Sequence, residues 1–263
     1  MTEFKYSIDS DGVAIISWDV PNKTMNVMSL EGLKELDKHF DAALSDDRVK
    51  GIIVTSGKRD FAGGMDLNVL ADMKTAQGEN PAQGLFNGIM QIHKLLRKIE
   101  LAGMDPKTKK GAKPVAAAIN GTAAGIGLEL PLACHRIFAI DNEKSKIGLP
   151  EILVGIFPGA GGTTRLVRKL GAMNAAPFLL EGKMLSPSKM KLAGVIDELT
   201  DESDLLSRAK AWVLDATDAD CIKPWDDKSY KMPGGGPYHP NGYMTFAGAS
   251  VMVNSKTQGA FPA

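Results

Sequence analysis

The chain has almost no cysteine. Its 263 residues hold only Cys134 and Cys221, which match no metal or redox spacing, so two reduced thiols in a reducing compartment are expected. It has no net charge either, since 31 Lys+Arg balance 31 Asp+Glu. No global field therefore draws nucleic acid or an acidic membrane. A local cluster, Lys107, Lys109, Lys110 and Lys113, reads as a solvated loop. No stretch approaches the ~18 apolar residues of a membrane span. The opening MTEFKYSIDSDGV lacks the basic start and apolar run of a secretory signal, and a cytoplasmic protein is expected. Several catalytic signatures are missing as well. There is no G-x-x-x-x-G-K-S/T phosphate loop and no G-x-S-x-G elbow. GIGLEL at 125–130 puts Leu130 where a dinucleotide fingerprint needs its last glycine. His39, His93, His135 and His239 are scattered, the first two in helical stretches as surface or packing residues. Zinc and Ser-His chemistry thus have no support.

What is present is ordinary for a globular protein: 44% hydrophobic and 24% charged residues, enough for one large domain, alone or with a small appendage. Phe4, Tyr6 and Ile8, then Val13, Ile15 and Ser17 after Asp11-Gly12, alternate like a hairpin. A helix capped by Ser29 carries Leu30, Leu33, Leu36, Phe40 and Leu44 at three- and four-residue steps. Gly51 to Thr55 and Pro114 to Ile119 read as strands buried on both faces. A third strand is expected around Arg136 to Ile140, and a second amphipathic helix carries Leu85, Ile89, Ile92, Leu95, Leu96 and Ile99. Residues 74–82 read as a loop, 103–113 as a polar connection and about 161–215 as helices. Strands alternating with helices imply an α/β fold. From Lys223 onward, Pro, Gly and polar residues with little periodicity suggest a linker or wrapping segment.

The chemistry-bearing features are two turns and two carboxylates. Ala62-Gly63-Gly64-Met65-Asp66-Leu67 leaves a buried strand, and its glycines let the backbone approach a ligand with amide groups free. Asn120-Gly121-Thr122-Ala123-Ala124-Gly125-Ile126-Gly127 runs from strand into helix, where free N–H groups and the helix dipole favour an anionic oxygen. Facing each other, the turns would make an oxyanion hole; each could equally be only a tight connection. Glu129 lies among Leu128, Leu130, Pro131 and Leu132, and Glu151 among Leu149, Pro150, Ile152 and Leu153. Burial of a carboxylate is costly unless it is paired, protonated or functional. Raised carboxyl pKa values serve acid–base chemistry near neutral pH, whereas pairing with Arg136 or Arg165 would be purely structural.

These residues resemble the crotonase superfamily, and within it the enoyl-CoA hydratases. FAGGMDL (61–67) is similar to the family's first oxyanion turn. INGTAAGIGLELPLAC (119–134) is similar to the second with its glutamate, and LPEILVGIFPGAGGTTRLVRKLG (149–171) to the segment with the other glutamate. The resemblance covers roughly residues 5 to 215. It implies a crotonase (ClpP-like) spiral of β-β-α units with a helical C-terminal region, usually trimeric. It implies oxyanion N–H groups at Met65 and Ile126, an acid–base pair in Glu129 and Glu151, and Gly159 placing the attacking water. Met25, Gly63, Asp66, Leu67 and Pro150 would line the CoA site. The thioester would be the substrate, with no separate cofactor and no metal. The expected reaction is hydration of trans-2-enoyl-CoA in fatty-acid β-oxidation. A Δ3-Δ2 enoyl-CoA isomerase, or a non-catalytic acyl-CoA-binding domain, are the alternatives. Departures from the pattern are His135 in place of an acidic residue, expected to matter little, and Ile126 in place of a glycine. A slightly long DNEKSK turn (141–146) is a third. The resemblance implies domain limits of 1–215, with 216–263 as a tail similar to the connector before a 3-hydroxyacyl-CoA dehydrogenase domain in multienzyme chains. Homotrimers or β-oxidation proteins are the expected partners.

Overall fold

The structure is a computed structural model that describes residues 2–66, 69 and 80–259. The hairpin forms as expected: β1 (Phe4–Ile8) pairs antiparallel with β2 (Val13–Trp18), Phe4 opposite Trp18. Asp9 Oδ1 accepts the N–H groups of Asp11 and Val13 across the turn. β3 (Gly51–Ser56), β4 (Val115–Ile119), β6 (Arg136–Ile140) and β9 (Glu198–Thr200) then add in parallel. Together they make a six-stranded sheet in the order β1-β2-β3-β4-β6-β9. A smaller sheet joins β5 (Ala123–Ala124), β7 (Ile147–Gly148) and β8 (Met184–Leu185).

Helix α1 (Leu30–Ser45) starts at Ser29, whose hydroxyl accepts the Gly32 N–H at 2.9 Å, and it buries Leu36, Phe40 and Ala43. α2 (Pro81–Leu101) starts at Asn80 and ends at Ala102 in the left-handed region. α3 (Ile126–Ala133) is buried all round. α4 (Gly162–Leu170), α5 (Ala172–Leu180), α6 (Pro187–Leu192) and α7 (Leu205–Asp215) follow. Strand, strand, helix recurs as β1-β2-α1, β4-β5-α3 and β6-β7-α4.

The parallel strands are apolar on both faces because both faces are covered. Ile52, Val54, Ala117 and Ile119 enter the main core with Trp18, Phe40 and Leu96. Their alternates Ile53, Ala116 and Ala118 pack with Phe138 under Leu205, Ala209 and Val213 of α7. The helix comes so close that a Cβ on Gly51 would lie 2.8 Å from Val213 Cβ.

Four expectations need correction. The 161–215 region is not all helical. β8 and β9 interrupt it, short strands held by main-chain pairing with β7 and β6, which leaves no side-chain periodicity to read. The tail carries α8 (Pro240–Thr257), begun by Pro240 with His239 as its cap. Its exposed Tyr243, Met244 and Val251 blur the stripe by which a helix is recognised. Lys113 is no solvated charge: its Nζ donates to the carbonyls of Ala43 (2.9 Å) and Asp46 (2.7 Å) at the end of α1. His135, expected to matter little, ties β4 to α2, accepting the Val115 N–H on Nδ1 at 2.9 Å and donating from Nε2 to Glu100 O at 2.9 Å. Burial lowers its pKa to about 4, so the ring is neutral. The loop expected at 74–82 lies outside the described residues apart from its last three. Among the described residues, no helix is long and apolar enough to cross a membrane.

Candidate active site

The first turn leaves β3 and is held by a residue whose importance the sequence reading missed. Asn26 is fully buried. Its Oδ1 accepts the Val20 N–H at 2.9 Å, and its Nδ2 reaches Trp18 O, Ser56 Oγ and Phe61 O at 2.9, 2.9 and 3.0 Å. Its own carbonyl accepts the Gly63 N–H at 2.8 Å. The only signal was a lone amide in the otherwise apolar stretch MNVM. Beyond it, Met28 N–H donates to Gly64 O and Asp66 N–H to Met28 O, both at 2.9 Å. A parallel bridge of this kind uses the residues flanking Met65 and leaves Met65 itself unbonded. Its N–H donates to no described residue. Gly64, at φ +118, supplies the turn that a side chain would strain.

The second turn is stitched to the first. Ala62 N–H donates to Thr122 O at 3.0 Å, and Ala124 N–H returns to Ala62 O at 2.9 Å. Gly125 (φ +56) then turns the chain into α3, giving its own N–H to Gly148 O. Ile126 is the first residue of the helix, and its N–H also donates to no described residue. The two turns meet: a Cβ on Gly125 would lie 3.6 Å from Gly64 Cα and 3.1 Å from Glu151 Oε1. The turns bearing these two amides, neither of which donates to a described residue, therefore meet beside the Glu151 carboxyl, with Ile126 at the positive end of α3.

Glu129 is 2% exposed. Its Oε1 accepts the N–H groups of Ala160 (2.9 Å) and Gly162 (2.7 Å). Burial, and then the charge of Glu151, outweigh these two donors and the Arg165 charge, so its carboxyl titrates at about 7. Glu151 begins a single 3-10 turn, Glu151–Val154. Burial raises its pKa too, and its Oε2 is buried with no hydrogen-bond partner among the described residues. The purely structural alternative fails: Arg165 donates to Glu100 at 2.9 Å and Arg136 to Glu198 at 3.2 Å. Neither glutamate is held in an ion pair among the described residues. Arg165 and Glu100 were themselves missed as site residues, because only the fold brings them together. Such a pair of carboxyls, near two oxyanion donors, can move one proton while charge grows on a thioester oxygen.

The other expected site residues divide. A Cβ on Gly63 would stand 2.6 Å from Met25 Sδ, so these two adjoin beside Met65, and Asp66 follows with Lys23 4.0 Å away. Pro150 directly precedes Glu151, and a Cβ on Gly182 would lie 3.3 Å from its Cα. Gly159 lies exposed, next to the Ala160 N–H that holds Glu129. Leu67 lies outside the described residues.

Comparison with known proteins identifies the family and the fold. The family profile described as Enoyl-CoA hydratase/isomerase matches residues 9–219. A fatty acid oxidation complex subunit alpha from Shewanella loihica is 34% identical over 254 residues, covering 96% of this chain and 33% of the relative. The chain spans about a third of the length of the curated relatives it matches. Among solved structures, an enoyl-CoA hydratase from Geobacillus kaustophilus is 27% identical at TM-score 0.69, with 81% of this chain and 73% of that one aligned. One from Bacillus anthracis is 26% identical at TM-score 0.66, over 81% and 75%. The chain belongs to the enoyl-CoA hydratase/isomerase family and has the crotonase fold.

Proposed function

We propose that the chain hydrates trans-2-enoyl-CoA thioesters to 3-hydroxyacyl-CoA, as a step of fatty-acid β-oxidation. The observation that supports this reading is the close approach at Gly125, where a Cβ would lie 3.1 Å from Glu151 Oε1 and 3.6 Å from Gly64 Cα, with Glu129 close enough to feel the Glu151 charge. The thioester oxygen accepts from Met65 N–H and Ile126 N–H, which draws electrons from the conjugated double bond. Water oxygen adds to C3, and the enolate that forms is held by those two donors. One carboxylate takes a proton from the water while the other carboxyl supplies the proton that ends on C2, so the pair returns with one proton between them. Removing a single oxyanion donor costs on the order of 10²- to 10³-fold in rate. Gly159 and the donors beside it would orient the water, and Met25, Gly63 and Asp66 would border the CoA moiety.

Isomerisation of a 3-enoyl-CoA is the second reading, favoured by Glu151 Oε2, which has no hydrogen-bond partner among the described residues, since one carboxylate can carry a proton from C2 to C4. Loss of crotonyl-CoA absorbance, assayed beside conversion of a 3-enoyl-CoA, separates the two. Hydration is expected to dominate. Turnover of the 3-enoyl substrate alone would assign the isomerase, and binding without turnover of either would leave a binding domain.

A further inference from the structure

We propose that residues 223–226, in the tail beyond the acid–base region, are a positioning element for the Glu129 carboxylate. The inference rests on the hydratase reading above. Lys223 is buried, and its Nζ donates to Leu132 O at 2.9 Å and to Cys134 O. These are carbonyls at the C-terminal end of α3, where helix carbonyls lack intrahelical donors, and a cation there also suits the helix dipole. α3 has only eight residues, so fixing one end fixes both Glu129 and the Ile126 N–H at the other.

Asp226 reaches the same carboxylate from the other side. It holds Arg97 by two bonds, at 2.8 and 2.7 Å. Arg97 donates to Glu100 Oε2 at 3.0 Å, and Glu100 Oε1 accepts from Arg165 Nε at 2.9 Å. Arg165 then donates to Ala160 O at 3.0 Å, and Ala160 N–H donates to Glu129. Trp225, between the two anchors, lies under the Arg168 guanidinium of α4 at 5.9 Å and the Lys223 ammonium at 5.5 Å. Lys223 thus holds the helix that carries Glu129, and Asp226 reaches its donor Ala160 through Arg97, Glu100 and Arg165. Lys223, Glu100 and Arg165 are buried and Arg97 and Asp226 half-buried, and charges joined in this way transmit small shifts.

The test uses Asp226→Ala, Asp226→Glu and Lys223→Met in the whole chain, with crotonyl-CoA as substrate. Amide exchange at Ala160 and Gly162 is measured in parallel. Asp226→Ala and Lys223→Met are each expected to lower kcat by about 10-fold, with KM held within about twofold, as a small misplacement of a catalytic group does. Exchange at the two amides should quicken by a similar factor, and Asp226→Glu should restore most of both. Adding Arg97→Met to Asp226→Ala should cost little more, because one relay is already broken. Unchanged kcat and unchanged exchange in Asp226→Ala, whatever its melting temperature, would overturn the proposal. If the parent chain fails to hydrate crotonyl-CoA the function reading falls, while the exchange measurement still judges the brace.

Discussion

Arg165 makes no ion pair with Glu129: its guanidinium binds Glu100 at 2.9 Å, and among the described residues Glu129 accepts only backbone N–H groups. A carboxyl kept buried yet unpaired holds its proton to about neutral pH, which is the state an acid–base catalyst needs.

The first prediction concerns this pair. Glu129→Gln and Glu151→Gln keep size and acceptor oxygen but lose proton exchange. Each should cut hydratase turnover by at least ~100-fold, within the range of general acid–base contributions, while crotonyl-CoA still binds. Glu151→Gln should abolish any isomerase activity and Glu129→Gln spare more of it. Hydration within a few-fold of the parent after Glu129→Gln would refute the paired-carboxylate mechanism.

A second prediction follows from the raised pKa of Glu129. Its folded value, about 7, lies above the ordinary carboxylate value of 4.5. The folded chain therefore holds the extra proton between those values, and this group's contribution to stability falls as pH rises through that window. Glu129→Gln, whose amide oxygen can still accept from Ala160 and Gly162, should match the parent near pH 4.5. At pH 8 it should be the more stable, by on the order of 3 kcal/mol, since each tenfold change in proton affinity is worth about 1.4 kcal/mol. Denaturant melts at the two pH values decide it, and a variant less stable than the parent at pH 8 would show the charge to be favourably housed.

Gly127 sets the spacing of the two oxyanion turns. A Cβ there would stand 2.8 Å from Ala62 Cβ and 3.1 Å from Ala62 O. Gly127→Ala is therefore expected to push α3 off the first turn. It should cost about 1–3 kcal/mol, as overpacking does, with a larger proportional loss in kcat than in folded fraction. Gly248→Ala in α8, with nothing within 4 Å of the new Cβ, is the control and should keep full activity. Equal behaviour of the two variants would sink the argument.

The cysteines are expected to be inert. Both are buried, and burial pushes each thiol up to about 12, so little thiolate forms at pH 8. Iodoacetamide should label neither in the native chain and both after denaturation. Native labelling at Cys134 would mean that the end of α3 opens in solution.

Much of this protein was written in local sequence. Ser29 as a cap, the period-two hairpin, the doubly apolar β3 and β4 and the glycine turns all follow from forces acting over a few residues. The same holds for the Met65 and Ile126 N–H groups, which donate to no described residue, because that is a property of backbone path, and glycines announce that path. The identity of Glu129 and Glu151 as a pair came from motif likeness. That neither is neutralised was decided only by the fold, which spends Arg165 on Glu100 and Arg136 on Glu198. Tertiary structure alone also revealed Asn26 as the tie of the first turn and made Lys223 and Asp226 part of the site's surroundings. These roles depend on partners 35 to 129 residues away. No local pattern encodes such distances, because a single polar side chain carries no periodicity, and its partner is chosen by the packing of the elements between.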